Sequence, residues 1–309
     1  MSNRSARRSQ IALGLLWLID GTLQFQPYMF GKSFVTGVLL PSAAGQPSFV
    51  GTPITWVARL IEPHVALFNG FAATLQVLIG IGLLYRPMVR PALAISFVWA
   101  AGIWFGGEGL GMLFTGAASP LTGAPGAALL YVVAGLMCWP LEAPTRSRPG
   151  RELGLIGERG ARLAWSAIWF GCAVLWLLPA NNNPGGVHDA IAGAPSGADL
   201  LSRVLDTAAA ATSAHGTTIA ISLAAASAMI GLAVLYGWCP RTLLATEISL
   251  SVLYWILGQG LGGVLTGRAT DVGTAPLMIM IALMMPRSAS ARTRVDLGTQ
   301  WGHHVQRSA

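Results

Sequence analysis

A glycine-rich segment that occurs twice constrains the fold of this chain more than any other feature. Trp104–Gly116 returns as Trp255–Gly267 without gaps at an offset of 151 residues, and seven of the thirteen aligned pairs are identical. The same offset aligns Ala124-Pro125 with Ala275-Pro276. Self-similarity over this distance predicts that one structural unit is present in two copies.

Each copy contains four apolar segments, which indicates an all-α, multi-pass membrane protein. The mean hydropathy is +0.59, with 53% hydrophobic and only 10% charged residues, whereas about a quarter of the residues of a soluble protein are charged. The segments have roughly the length that crosses a bilayer, about 20 residues. The eight predicted helices cover residues 11–25, 65–85, 91–113, 124–139, 163–178, 216–238, 242–264 and 274–286.

The basic residues predict the orientation of these helices. With a cytoplasmic N-terminus, 15 of the 19 Lys and Arg residues fall on the cytoplasmic side. An excess of this kind follows the positive-inside rule and does not indicate nucleic-acid binding. Both termini are then cytoplasmic, and two units of four helices are parallel repeats. The four basic residues expected outside are Lys32, Arg59, Arg203 and Arg268.

The chain divides into four predicted parts. They are a first four-helix repeat (1–145), a basic cytoplasmic hinge (146–162), a second four-helix repeat (163–286) and a disordered basic tail (287–309). The three cysteines are an odd number placed within or beside apolar segments, which favours packed thiols over disulfides.

Each loop that precedes the second helix of a repeat contains a short amphipathic segment. Residues 57–62 and 201–206 place apolar side chains on one helical face and an Arg and an acidic residue on another. Each segment is predicted to form a helix on the outer membrane surface.

Asp20 is the most unusual residue of the first predicted helix. It lies nine residues beyond Ile11, about 13–14 Å along a helix. A carboxylate at that depth costs at least about 2.5–3.5 kcal/mol, so Asp20 is expected to face the bundle interior, with Gln24 one turn further on the same face. It is either a proton-handling or ligand-binding group, or a neutral carboxyl hydrogen-bonded to a neighbouring helix.

Glu108 lies near the outer end of the third predicted helix, among glycines that let another backbone or a ligand approach closely. The pattern fits tight helix packing with a solvated carboxylate, and it also fits the rim of a binding site. His64 and His215 begin equivalent helices at the same offset of 151 residues, and each is either a helix cap or interface group, or part of such a site.

These polar residues together predict one outward-facing pocket in the first repeat. Gln259 replaces Glu108 in the second repeat and Asp20 has no acidic counterpart there, so the first repeat is expected to be the active copy. The sequence has no spacing typical of a metal site. The candidate pocket residues are Asp20, Gln24, Arg59, Glu62, His64, Glu108 and Thr115, and the second-repeat counterparts are Arg203, Asp206, His215 and Gln259.

Two segments resemble the DoxX/DoxD-like family of bacterial membrane proteins. Leu13–Gly21, with the sequence LGLLWLIDG, resembles the opening helix of that family. Phe71–Leu84, which ends in Gly-Leu-Leu before a basic turn, resembles its second helix. Those proteins are four-helix units, and this chain is similar to two of them fused.

The resemblance implies a location in the bacterial cytoplasmic membrane. Because some members are subunits of thiosulfate:quinone oxidoreductase and others accompany redox-stress proteins, it also implies a quinone as ligand and other membrane or redox subunits as partners.

The leading hypothesis is therefore a quinone- or redox-associated membrane subunit that uses the predicted pocket. A transporter of a small solute or ion is the second hypothesis, suggested by the parallel repeats and the mid-membrane carboxylate. The third is a non-catalytic structural subunit of a membrane complex.

Overall fold

The computed structural model describes residues 3–141 and 153–286, and in these ranges all regular secondary structure is helical. The prediction of an all-α chain is confirmed. Ten of the described α-helices have eleven or more residues. They are α1 (Asn3–Leu23), α2 (Ser48–Ile61), α3 (Val65–Leu84), α4 (Val89–Gly106), α5 (Ala127–Cys138), α6 (Gly157–Trp176), α7 (Asp199–Thr212), α8 (Gly216–Leu235), α9 (Arg241–Leu257) and α10 (Thr274–Met284).

Four helical stretches of the described chain are long and apolar enough to cross a membrane, so the protein has the helices of a membrane protein. α5 and α10 are equally apolar but have only 12 and 11 residues. The four stretches are Ser48–Leu84, Arg86–Gly106, Gly216–Leu235 and Arg241–Thr266.

Every predicted apolar segment contains a helix, but several bounds differ. α4 ends at Gly106, seven residues before the predicted end at 113, because the following glycines adopt left-handed backbone angles. Residues 157–162, predicted as part of the hinge, form the first turns of α6. The rest of the basic hinge up to residue 152 and the tail at 287–309 lie outside the described residues. All three cysteines are buried and unpaired, as predicted.

The first and third helices form a close antiparallel pair. Arg7, near the start of α1, donates hydrogen bonds to the carbonyl oxygens of Leu83 (2.8 Å) and Leu84 at the end of α3. A Cβ atom on Gly80 would lie only 2.8 Å from the carbonyl oxygen of Gly14. Small residues at such a crossing let the backbones approach and pack tightly. α6 and α8 form the corresponding pair in the second half.

The two halves meet along α5 and α10, which lie side by side and run parallel. The Sγ atom of Cys138, the last residue of α5, is 3.9 Å from the Sδ atom of Met284, the last residue of α10. The first residues of these helices, Ala127 and Thr274, line one shared cavity. Both helices contribute to the same buried apolar core.

The repeated glycine-rich segments form the same left-handed turn. Four consecutive residues, 109–112 in the first half and 260–263 in the second, have φ between 51° and 72°. A Cβ atom on Gly111 would lie 2.1 Å from the carbonyl oxygen of Pro125, and one on Gly262 would lie 2.4 Å from that of Val272. We call the side of the molecule that carries both turns the loop end.

The structure also corrects one predicted equivalence. The indole Nε1 of Trp104 donates to the carbonyl oxygen of Pro125 (2.8 Å), and that of Trp255 donates to the carbonyl oxygen of Val272 (2.7 Å). Pro125 thus corresponds to Val272, an offset of 147. The predicted pairing of Ala124-Pro125 with Ala275-Pro276 is therefore wrong, because the second loop is four residues shorter.

Gly111 and Gly116 both have positive φ, but an added Cβ would meet backbone atoms at Gly111 and would have no neighbour within 4 Å at Gly116. Comparing the two positions therefore separates the effect of the close contact from the effect of the left-handed backbone. We expect Gly116→Ala to lower the free energy of unfolding by about 1 kcal/mol, the cost of a left-handed residue. Gly111→Ala should lower it by roughly 1–3 kcal/mol more, because the new methyl group meets backbone. Unfolding in detergent measures both, and equal losses would contradict the tight contact.

Candidate functional site

A cavity of about 290 Å³ lies among the helices of the first half, closed on one side by the loop that precedes α10. Most of its wall is apolar. The amphipathic helix α2 covers it with Ile54, Val57 and Ile61, and the aromatic rings of Phe34 and Phe68 form another part of the wall. We call this space the apolar cavity.

Asp20 lies at the polar end of the apolar cavity and is only 3% exposed. One carboxylate oxygen accepts a hydrogen bond from the Tyr131 hydroxyl group of α5. The other accepts from the backbone N–H of Val272 at 3.2 Å. The Trp17 ring packs on the Tyr131 ring with centroids 4.3 Å apart. Asp20 therefore joins α1, α5 and the second half of the chain, and it also faces the cavity.

Glu108 has a structural contact and a free oxygen. Its Oε1 atom accepts the backbone N–H of Ala128 at 3.0 Å, which satisfies one of the unpaired N–H groups at the start of α5. Gln259 does the same at α10, where its Oε1 atom accepts the N–H of Thr274 at 2.9 Å. The Oε2 atom of Glu108 is buried and has no hydrogen-bond partner among the described residues.

Four buried polar atoms on residues that line the apolar cavity have no partner within the described chain. Buried polar groups are nearly always hydrogen-bonded, so such a set is available to a ligand or to water. Two of the atoms are donors and two are acceptors. They are the Nε1 atoms of Trp17 and Trp99, the Oε1 atom of Gln76 and the Oε2 atom of Glu108.

The second half of the chain completes this site. Asp271 lines the apolar cavity, and the carbonyl oxygen of Thr270 accepts a hydrogen bond from the Gln24 side chain at 3.1 Å. Three carboxyl groups, those of Asp20, Glu108 and Asp271, thus border the cavity, and none of its described lining residues is basic. The pocket predicted within the first repeat is in the structure a site between both halves.

A second cavity of about 480 Å³, which we call the vestibule, lies at the loop end between the two repeated turns. Thr115, Ser119, Gln259 and Thr274 are among its lining residues, and Glu108 and Asp271 line it as well. The structure therefore places the predicted residue Thr115 in the vestibule rather than in the apolar cavity.

The remaining predicted residues do not line either cavity. Arg59 and His64 are exposed, and Glu62 forms an ion pair with Lys32 at 3.6 Å. The structure does not bring these three to the site with Asp20, Gln24 and Glu108. Their second-half counterparts are also exposed, namely Arg203, Asp206 and His215.

Sequence reasoning missed five residues of the site. Gln76 had a usable signal, because an amide inside an apolar helix raises the same question as Asp20. Trp17, Trp99 and Tyr131 had none, since aromatic residues are ordinary in such helices. Asp271 could not be found, because nothing in the sequence shows that a loop of the second half reaches the first.

Small residues explain why space remains in the first half. Gly102 and Gly106 line the apolar cavity, and an added Cβ on either would have no neighbour within 4 Å. At the offset of 151 their counterparts are Leu253 and Leu257, and Tyr254 replaces Ile103. Tyr254 is buried and its hydroxyl oxygen accepts a hydrogen bond from Trp176 at 3.1 Å. Tyr254 thus packs inside the second half, whereas Leu253 is exposed.

Comparison with protein-family models, with curated proteins and with solved structures gave no match to this chain. Within the described residues, no group of three or more His, Cys, Asp or Glu side chains is arranged to hold a metal ion.

The bond between Asp20 and Tyr131 predicts energetic coupling. Asp20→Leu leaves the Tyr131 hydroxyl and the Val272 N–H without their acceptor, and Tyr131→Phe removes one donor; each change should lower the free energy of unfolding by about 1–3 kcal/mol or more. The double variant should lose less than the sum, with a coupling of about 0.5–3 kcal/mol.

The measurement is unfolding of the detergent-solubilised protein. Tyr254→Phe, which removes a buried hydroxyl group in the second half, is the matched control and should be additive with Asp20→Leu to within about 0.5 kcal/mol. Additivity of Asp20→Leu with Tyr131→Phe would contradict the hydrogen bond.

Proposed function

We propose that the apolar cavity binds a quinone-type ligand from the membrane and that the protein is a quinone- or redox-associated membrane subunit of the DoxX-like kind. The observation that carries this proposal is the set of four unpartnered polar atoms on residues that line a mainly apolar, aromatic cavity. It indicates a flat apolar molecule with a few oxygen atoms.

The polar atoms match both redox forms of a quinone. The indole N–H groups of Trp17 and Trp99 can donate to quinone carbonyl oxygens, and the Oε1 atom of Gln76 and the Oε2 atom of Glu108 can accept from quinol hydroxyl groups. Aromatic walls favour a flat ring through stacked or edge contacts. The set therefore offers hydrogen-bond partners to the oxidised quinone and to the reduced quinol.

The size and opening of the cavity favour a membrane-soluble ligand. A volume of about 290 Å³ is near the lower end of ligand pockets, which measure roughly 300–1,000 Å³, so it fits a ring headgroup better than a long tail. Gly102 and Val57 line the cavity and are exposed on the helix surface. A tail can extend past them towards lipid.

A purely structural role explains these atoms less well. A buried polar group without a partner costs about 1–3 kcal/mol, and a ligand that pairs with the four on the cavity-lining residues removes that cost. Solute transport is the other alternative, and it requires net movement of a solute across the bilayer in addition to binding.

We further propose eight membrane spans in two parallel repeats with both termini in the cytoplasm. The parallel contact of α5 with α10 supports this arrangement, as does the shared vestibule, which brings Glu108 and Gln259 to the same end. Arg7 and Arg90 bond to carbonyl oxygens at the opposite end, those of Leu83 and Pro140. The bacterial cytoplasmic membrane is the location that this orientation and the family resemblance imply.

Decylubiquinone binding tests the function. We expect purified protein to bind this quinone with quenching of tryptophan fluorescence, and Gly102→Leu and Gly106→Leu to weaken binding at least about tenfold, or 1.4 kcal/mol, because the leucines fill the cavity. Gly70→Leu is the control: an added Cβ there also meets nothing within 4 Å, and Gly70 does not line the cavity.

Failure of the wild-type protein to bind any quinone would refute the proposed function. Unchanged binding in both Gly102→Leu and Gly106→Leu would show that the quinone does not bind in the apolar cavity. Proteoliposomes that accumulate a small solute in the absence of quinone binding would favour the transporter.

Single cysteines test the topology. Ala117→Cys and Arg268→Cys, both exposed at the loop end, should react in intact cells with a membrane-impermeant maleimide. Tyr85→Cys and Tyr236→Cys, also exposed, should react only after the cells are permeabilised, because they lie at the opposite end. The buried native cysteines give a low background. Opposite labelling of Ala117→Cys and Arg268→Cys would exclude parallel repeats.

A further inference from the structure

Two carboxyl-bearing residues belong to both cavities. Glu108 and Asp271 line the apolar cavity and also line the vestibule, so they form the partition between the two spaces. Each comes from a different half of the chain. They are the titratable residues that line both spaces.

Asp20, which lines the apolar cavity, is the third carboxyl-bearing residue, and we call Asp20, Asp271 and Glu108 the carboxyl row. The Asp20 carboxylate accepts the N–H of Val272, the residue that follows Asp271. The Asp271 side chain is itself held in place, because its oxygen atoms accept hydrogen bonds from the N–H of Gly273 at 2.7 Å and from the Thr270 hydroxyl group at 2.8 Å. The Tyr131 hydroxyl group is the fourth exchangeable group.

The vestibule has a partly polar wall and room for water. Its wall includes the side chains of Thr115, Ser119, Thr122 and Gln259. Ser119 is only 3% exposed, and its Oγ atom has no partner among the described residues. A buried hydroxyl group of this kind indicates bound water or a small polar ligand. Glu108 is therefore in reach of water on its vestibule side.

We propose that Asp20, Asp271 and Glu108 relay protons between a ligand hydroxyl group in the apolar cavity and water in the vestibule; this inference rests on the proposed quinone function. The O–H bond of the ligand breaks and its proton binds the Asp20 carboxylate. The resulting carboxylic acid gives a proton to the Asp271 carboxylate, Asp271 gives one to the free Oε2 atom of Glu108, and Glu108 gives one to vestibule water. The ligand keeps the electron pair as an oxyanion. No electron transfer is part of this step.

The titratable side chains of the described residues that line the apolar cavity are three carboxyl groups and the Tyr131 hydroxyl group. None of them is a histidine or lysine that could compete for the proton. Asp20 lies on α1, Tyr131 on α5, Asp271 on the loop before α10 and Glu108 on the loop after α4. Arg268 lines a neighbouring groove together with Glu108, and its guanidinium group lies over the Tyr28 ring, 5.3 Å from the centroid.

The second half of the chain indicates a substitution that removes the proton-binding group of Glu108 and keeps its contact with α5. Glu108 accepts the Ala128 N–H at the start of α5 through Oε1, and Gln259 makes the same contact at α10 with an amide oxygen. Glu108→Gln therefore retains the contact and removes the proton-binding carboxylate. Asp271→Asn, which keeps a side-chain oxygen acceptor, is an independent second variant.

The experiment uses lawsone, a hydroxynaphthoquinone whose absorption changes when its hydroxyl group loses a proton. Wild-type protein saturated with lawsone is subjected to a rapid pH increase, and the rate of deprotonation of the bound probe is recorded. We expect Glu108→Gln and Asp271→Asn to slow it by about a hundredfold, the scale of positioned proton transfer, and each variant is saturated with lawsone at its own affinity so that weaker binding does not affect the rate. The control is Glu247→Gln, a buried carboxyl group bonded to Trp165 that lines neither cavity.

The outcomes separate the two proposals. Bound lawsone that loses its proton at the wild-type rate in both variants overturns the relay and leaves the quinone function intact. A wild-type protein that binds neither lawsone nor decylubiquinone overturns both. Equal slowing in Glu247→Gln also overturns the relay, because the effect would then not depend on the partition.

Discussion

The cost of leaving backbone N–H groups unpaired in an apolar environment accounts for the architecture of the loop end. With 12 residues, α5 is about 18 Å long, well short of a hydrocarbon core of about 30 Å. In the proposed eight-span arrangement, the chain before it covers membrane depth without a helix, which is tolerated only where protein or a water-filled cavity surrounds it. The left-handed turns and the contacts of Glu108 and Gln259 provide that environment.

The same constraint places the candidate site between the halves. α10 has only 11 residues, so in the same arrangement its preceding loop also enters the membrane, and there the N–H of Val272 donates to Asp20 on the first helix of the other half. A carboxylate in the apolar interior needs donors, and a descending loop has N–H groups that need acceptors. The Asp20 carboxylate and the Val272 N–H thus satisfy each other, and this bond brings the neighbouring Asp271 to the cavity.

Sequence patterns predicted what depends on local composition. Apolar segments located the helices, and the cost of a buried carboxylate pointed to Asp20 and Gln24, which line the cavity. Patterns failed where contacts are long-range. Arg59 and His64 share a chain segment with the cavity-covering helix α2 but lie on its exposed side or beyond its end. Asp271 and Tyr131 join the site only through the packing of α10 and α5 against the first half.

The duplication separates the structural part of the site from its chemical part. Both halves keep the left-handed turn, the indole bond to the following loop and a side-chain oxygen at the start of the short helix. An amide serves that purpose as well as a carboxylate, so helix capping alone does not explain Glu108. The first half also has glycines at 102 and 106 where the second has leucines. The titratable group and the open space therefore occur together, in one copy, which is the arrangement expected when a ligand rather than packing determines both.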